Sequence, residues 1–402
     1  MMYKKILIIT MTIIISLLIF SGCWSRKEPK SLAVVTSVIY DVSDNDNYII
    51  TFEILDPIKA TGTNNGKGST IIHNSEGKTI ADAYANINTT LSRQLFGGSN
   101  KARFLTEKFA EEKITNAMDI FLRDHFTNER PLLLIIKSDD PKRIYQADIG
   151  LSNIAGVFVE NLTKSQLEAS SFTVYISTLD YIKDELCDGK QPVMGLVEII
   201  DNPLYIEDNK DTTAPANTFK KYIPIFEGLS VMKDDKVVGY MNKYDARAYN
   251  YLVNKVLSTY ISVMVDGDYY SANLSKSKAK IKTRYENNVI FADISVKQNM
   301  MLAQNEGVMD PSKPENIKIL EEAFAEQVKK ELYHSINTAQ GLRSDIFGFG
   351  EYFHMEHPKE WKTMKKTWDD DYFPSIIVNV KVEVNVNRDG ETILPYGSKS
   401  DE

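Results

Sequence analysis

The apolar run from Ile6 to Phe20, broken only by Thr10, Thr12 and Ser16, follows Lys4-Lys5 and ends on Ser21-Gly22-Cys23. That run decides where the rest of the chain folds. At about 15 residues it is shorter than the roughly 18 to 20 that a stable helical span of the hydrocarbon needs. Its basic n-region, apolar core and small residues before the cysteine have the layout of a secretory signal over residues 1–22. The chain beyond it is therefore expected to fold outside the cytoplasm, with an uncleaved signal anchor as the rival reading.

Phe20-Ser21-Gly22-Cys23 resembles a bacterial lipobox, in which the cysteine thiol takes a diacylglyceryl group and becomes the new first residue. An acylated Cys23 cannot pair with Cys187, the other of the two cysteines, so no disulfide framework can form. Stability must come from buried cores, which a chain of 402 residues with ordinary apolar content can supply. Cys187 in "DELCDGK" lies beside Asp184, Glu185 and Asp188, which raise a thiol pKa, and it reads as structural. The net charge of −8 falls to −10 once Lys4 and Lys5 are removed with the leader. Such a surface repels nucleic acid and anionic lipid alike, so attachment to the bilayer has to come from the lipid on Cys23.

About 380 residues remain after the leader, too many for one domain by the usual prior of roughly 100 to 200. Leu32 to Tyr40, a polar turn "DVSDNDN" and the alternating Tyr48, Ile50, Phe52 and Ile54 predict a hairpin. Ile80, Tyr84, Ile87, Leu91 and Leu95 recur at helical spacing, with "FGGSN" as the terminator, and a second helix is expected over Thr106 to Arg123. "RPLLLIIKS" reads as a buried strand, and Asn153 to Ala169 as a region holding a helix. The polar Asp201–Asn217, with Pro203 and Pro215, marks the best boundary. It places an N-terminal region at 23–205, a linker at 206–222 and a C-terminal domain at 223–402. Past it, strands are expected around Lys233–Lys236 and over Tyr269–Arg284 and Asn288–Val296, with a helix at Tyr244–Val256. Ile317, Leu320, Phe324, Val328, Leu332 and Ile336 mark a long helix, preceded by Ser312 and Glu315 at capping-box spacing. Ile376 to Val386 alternates as a half-buried strand, expected in an antiparallel sheet. The fold class is α+β: elongated, of two to three lobes, with largely antiparallel or mixed sheets packed by helices.

Little in the sequence asks for chemistry. His354 and His357 in "HMEH" have metal-ligand spacing, but Pro358 breaks the helix and no third ligand is nearby. Asp369-Asp370-Asp371 has the donors for a hard cation, although a solvated loop explains it with less. "FGFGE" has too few glycines for a phosphate loop and reads as a packed turn. No nucleophile elbow or partnered nucleophile is present in the sequence, and neither catalysis nor a cofactor is expected. Phe347, Phe349, Tyr352, Phe353, Trp361 and Trp368 gather in one short stretch with glycines. They either fill a core under a loop or form a patch for partner subunits.

Behind the lipobox of "SGCWSR", five stretches in order carry a wider resemblance: "LAVVTSVIYD", "LSRQLFGGSNKARFLTEKFA", "FLRDHFTNERP", "GLSVMKDDKVVGYMN" and "AQGLRSDIFGFGEYFHMEHPKEWKTMKKTWDDDYFP", and "CDGKQPVMGLVEI" in the middle of the chain keeps the Pro-Val-Met-Gly part of the pattern. Together they resemble the Ger(x)C or GerAC-like family, the C-subunit lipoproteins of spore germinant receptors. The resemblance implies a non-enzymatic subunit, lipid-anchored on the outer face of the spore inner membrane. It also implies membrane-embedded A and B subunits as partners in nutrient-triggered germination. Two residues depart from the pattern: Ser25 stands where an acidic residue is usual after Cys-Trp, and Pro29 interrupts the charged stretch that follows.

Without the resemblance, the residues lead to an acidic extracytoplasmic lipoprotein that binds or assembles. A solute-binding lipoprotein serving a transporter is the alternative and needs a ligand cleft; an envelope hydrolase needs a catalytic constellation. For Cys23→Ala the expected outcome is release or mislocalisation with loss of radiolabelled palmitate incorporation, read by fractionation and autoradiography; label retained on the variant would contradict the assignment.

Overall fold

The structure, a computed structural model, describes residues 3–7, 9–11, 31–56, 70–123, 130–150, 152–205, 220–307, 309–311 and 313–387. Cys23, most of the apolar leader and residues 206–219 of the expected linker lie outside the described residues. Among those described, no helix is long and apolar enough to cross a membrane.

The first ten strands form one mixed sheet: β1 (Leu32–Val42), β2 (Tyr48–Leu55), β3 (Thr70–Gly77), β4 (Gln94–Phe96), β5 (Ala102–Thr106), β6 (Leu132–Lys137), β7 (Val193–Asp201), β8 (Tyr222–Ile225), β9 (Leu229–Lys233) and β10 (Lys236–Met241). Their order is β10-β9-β7-β6-β5-β1-β2-β3, with β4 beside β1 and β8 beside β7. The predicted hairpin is the antiparallel β1–β2 pair, with Val38 opposite Phe52 and Tyr40 opposite Ile50. At the centre β1, β5, β6 and β7 run parallel. Helices cover both faces there, which explains why "LLLIIK" of β6 is apolar throughout instead of alternating. α1 (Ile80–Asn86), α2 (Glu107–Glu112), α3 (Ile114–Arg123), α4 (Ala155–Ala169) and α5 (Thr178–Glu185) supply the cover.

Two helical expectations need correcting. The first helix stops at Asn86 and, after a short 3-10 turn, Leu95 lies in β4. Asn88 Nδ2, Thr89 Oγ1 and Thr90 Oγ1 donate to the carbonyls of Ala85, Asn86 and Ile87, and this local competition ends the helix. The expected second helix is two, α2 and α3, broken at Lys113.

A buried carboxylate ties this layer together. Glu53 on β2 is 1 % exposed and accepts from Thr36 Oγ1 and Ser37 Oγ on β1, each at 2.8 Å. It also accepts from the backbone N–H of Ala155 (2.7 Å) and Gly156 (3.0 Å). These N–H groups open α4, whose own N-cap, Ile154, offers no side-chain acceptor. Gly156 permits the approach, because a Cβ there would sit 2.2 Å from the Thr36 carbonyl oxygen.

The remaining strands make a second sheet of order β11-β12-β13-β14: β11 (Thr259–Val265), β12 (Asp268–Glu286), β13 (Val289–Asn305) and β14 (Ile377–Asn387). The long helix α7 (Pro314–Gly341) packs on one face through the six apolar residues that mark it in the sequence, all buried. Its N-cap is Lys313, with no side-chain cap bond; Ser312 of the expected capping box lies outside the described residues. α6 (Lys243–Leu252) packs beside it, joined by the buried pair Arg247–Glu331 at 2.5 and 3.0 Å. The alternation of β14 is half-buried as expected, but the strand runs parallel to β13, with Ile294 beside Val380, and is not antiparallel. The cause is the connection. The chain leaves β13, returns along α7 and re-enters through α8 (Phe349–Glu356) and α9 (Pro358–Met364), a helical crossover of the kind a parallel pair requires. Strands β8, β9 and β10, beyond the polar boundary, belong to the first sheet.

Replacing Glu53 by Ala removes the acceptor of two helix-opening N–H groups and leaves Thr36 Oγ1 and Ser37 Oγ only their longer contacts, at 3.3 Å each, to the residue-53 carbonyl and the Tyr145 hydroxyl. A loss of roughly 2–4 kcal/mol is expected from denaturant unfolding, with faster amide exchange at the start of α4 than elsewhere.

Candidate functional site

Three of the resembling stretches, "CDGKQPVMGLVEI", "GLSVMKDDKVVGYMN" and the last one, far apart in sequence, meet at Asp345. The Asp345 side chain is fully buried. Its Oδ1 accepts from the Phe349 N–H at 3.0 Å, and its Oδ2 from the Gly350 N–H at 2.7 Å and Trp368 Nε1 at 2.9 Å. The first two open α8, whose N-cap is Gly348 in a left-handed conformation. The backbone of Asp345 continues the network, its carbonyl accepting from the Gln191 N–H (2.8 Å) and its N–H donating to Asp369 Oδ1 (2.7 Å). Gln191 Nε2 donates to Asp369 Oδ2, the Asp234 N–H to Gln191 Oε1, and Ser344 Oγ to the Met232 carbonyl. Lys233 pairs with Asp370 at 2.5 Å. The segment around α8 is thereby bolted to the residues leading into β7, to β9 and to the β9–β10 turn of the first sheet.

Two glycines make the approach possible. Gly189 has φ +89°, and a Cβ on it would lie 2.5 Å from the carbonyl carbon of Gly350. The Glu351 N–H donates to the Gly189 carbonyl at 3.2 Å. "CDGK" and "FGFGE" are thus two sides of one backbone contact, and the glycines in both were the signal that could have found it.

The aromatic stretch fills the space beneath. Phe347, Phe349, Phe353, Trp361 and Trp368 are all at most 3 % exposed. Phe353 stacks on Trp368 at 5.3 Å, and Trp361 meets Trp368 edge-on at 5.1 Å. Of the five residues put forward as a partner interface, Phe347, Phe349, Trp361 and Trp368 are core and present no surface for docking; Tyr352 alone is half-buried. The physical reason is the glycine contact, which folds the stretch inward onto the first sheet.

The other chemical candidates have structural partners. His354 stacks on Trp361 at 5.5 Å, and His357 packs against Phe353 at 4.9 Å. Among the described residues no cluster of three or more His, Cys, Asp or Glu is arranged to hold a metal. Asp369 and Asp370 are spent in the bonds above. Burial, then the nearby Glu351 carboxylate, pushes the Cys187 thiol up to about 11, which leaves it protonated at neutral pH. A cleft of about 420 Å³ opens over the first sheet, lined by Val38, Tyr40, Phe52, Tyr84 and Leu95 with Arg123 at its edge.

Burial pushes the Asp345 carboxyl up to about 7, against the pull of its three N–H donors. A native pKa raised above the unfolded value means that the folded state holds the proton in the window from about 4 to 7. Stability should therefore fall as pH rises from about 4 to 7 and level off above that, by at most about 1.4 kcal/mol per pH unit. In Asp345→Asn this slope should flatten to what Asp369, also raised by burial, contributes, while the protein loses roughly 1–3 kcal/mol because an amide group faces one of the three donors. Urea unfolding at several pH values reads both effects.

Two family models match the chain: "Spore germination protein N-terminal domain" over residues 25–199 and "Spore germination B3/GerAC like, C-terminal" over residues 227–390. Spore germination protein KC of Bacillus subtilis (strain 168) is 23% identical over 405 residues, covering 97% of each chain. Spore germination protein B3 of the same organism is 21% identical over 88% of this chain and 90% of its own. The crystal structure of the GerBC protein superposes with a TM-score of 0.53 at 14% identity, over 87% of this chain and 96% of that one, and so shares the two-sheet α+β fold. Matched in both halves and in the same order, the chain belongs to the GerAC-like family of spore germination proteins, the C subunits of germinant receptors.

Proposed function

We propose that the chain is the lipid-anchored, extracytoplasmic C subunit of a nutrient germinant receptor. Acyl chains on Cys23 hold it at the outer face of the spore inner membrane, and it works by assembly with membrane-embedded A and B subunits. The observation that carries this reading is the match of both halves to spore germination models in one chain that opens with a lipobox. Each buried methylene of an acyl chain contributes about 0.8 kcal/mol, so a diacylglyceryl group with a third chain is a lasting tether. Tethering raises the effective concentration toward a membrane partner to around millimolar, and a modest interface is then well occupied. The role is non-catalytic in this reading, because the His and Asp side chains that invite chemistry are engaged in packing and hydrogen bonds.

A strain lacking the gene, scored nutrient by nutrient, should lose the response to at least one germinant. The wild-type gene should restore it, and the Cys23→Ala gene at ordinary expression should not. The A and B subunits should co-purify with the wild-type chain. Full rescue by Cys23→Ala would remove the anchor from the mechanism, and an intact response in the deleted strain would remove the receptor role.

A further inference from the structure

The chain is acidic overall, yet one face of the second sheet is strongly basic. In "KSKAKIKTR" the alternation of β12 turns Lys276, Lys278, Lys280 and Lys282 outward while Ala279, Ile281 and Thr283 are buried. A bulge at Ser275 resets the parity, so Asn273 and the lysines share the open face, opposite α7. At about 3.3 Å per residue the four ammonium groups span roughly 20 Å of strand. Among the described residues none of the four is ion-paired. The carboxylates beside them are already taken: Asp293 and Glu286 by Arg284, and Glu383 by both Lys297 and Lys381.

The stripe lines a groove rather than a ridge. One depression of about 410 Å³ is walled by Lys276, Lys278, Lys280 and Lys297 with Ser295 and Asn299. A second, of about 470 Å³, continues from Lys280 and Ser295 toward Lys381. At one end of the sheet Tyr260, Met264 and Tyr269 are more than half exposed. The register sets Tyr260 opposite Asn273 and Met264 opposite Tyr269, on the same open face. Ammonium groups flanked by exposed tyrosines match a phospholipid surface, where anionic headgroups meet the cations and phenol rings rest at headgroup level.

We propose that the open face of the second sheet, centred on Lys276, Lys278, Lys280 and Lys282, docks on the anionic headgroups of the bilayer to which Cys23 is tethered. The choice of lipid over other polyanions rests on the proposed anchor, which keeps a bilayer permanently within reach of this face. The net charge that repels anionic lipid describes the molecule as a whole; the field at a surface is set by its nearest charges, within a screening length of about 8–10 Å.

The test is lysine footprinting of the full acylated chain on vesicles, with a water-soluble acylating reagent and mass spectrometry. On vesicles containing phosphatidylglycerol, labelling of Lys276, Lys278, Lys280 and Lys282 should fall by about fivefold or more, the scale of one lysine's attraction to an anionic surface. It should not fall on phosphatidylcholine alone, and it should recover in 1 M salt, where screening acts over about 3 Å. Lys318, on α7 at 76 % side-chain exposure, is the unprotected reference. Lys278→Glu/Lys280→Glu, on exposed positions, should abolish protection of Lys276 and Lys282. Equal labelling on both vesicle types overturns the proposal. So does protection on neutral vesicles only when A and B subunits are present, which would assign the face to a protein partner. Flotation with neutral vesicles reports the tether separately. A chain that fails to float has lost the Cys23 anchor, while protection on anionic vesicles still reads the face.

Discussion

The carboxylate of Asp345 is the point on which the whole aromatic segment between α7 and β14 depends for its fold. It opens α8, holds the Trp368 indole and sits in a segment whose backbone is bonded to Gln191 and Asp369. An apolar residue there would bury as well, but it would leave three N–H donors unmet and nothing to fix where α8 begins. The hydrogen bonds supply direction and the aromatic rings around them supply area. The cost of burying the acid is visible in its raised pKa.

Glu53 repeats the device in the first sheet. α4 and α8 begin at Ile154 and Gly348, neither of which caps with a side chain. Their first N–H groups are met by a carboxylate, from a strand 102 residues away for α4 and from the preceding turn for α8. α5 and α6 differ: each carries its own capping box, Ser177 with Asp180 and Asn242 with Asp245. Helices with boxes can begin locally, whereas α4 is complete only when β1 and β2 have paired.

This distinction also separates what was legible in the sequence from what was not. The β1–β2 hairpin, the β6 strand and the apolar face of α7 are properties of contiguous residues, and periodicity finds them. The direction of β14 is set by the crossover before it. The membership of β9 and β10 in the first sheet is set by hydrogen bonds to β7, across the polar stretch. Neither leaves a local pattern. The aromatic stretch was visible, but rings packed inward and rings presented outward have the same spelling; the close approach of Gly189 and Gly350 decides between them. The basic face was equally visible as alternate lysines, and a whole-chain charge concealed it.

The β9–β10 hairpin bears on how the chain can be divided. It falls in the region matched by the C-terminal family model, yet it closes one side of the sheet built by the N-terminal region. A fragment cut at the polar stretch would expose the β7 edge that β8 and β9 cover, along with its row of unmet N–H and C=O groups, an invitation to aggregate. The complementary fragment would carry an orphan hairpin with apolar residues and no sheet to join. The two sequence regions are thus not interchangeable cassettes. A functional exchange between relatives would have to move the hairpin with the sheet that receives it, so that the seam of inheritance and the seam of folding lie in different places.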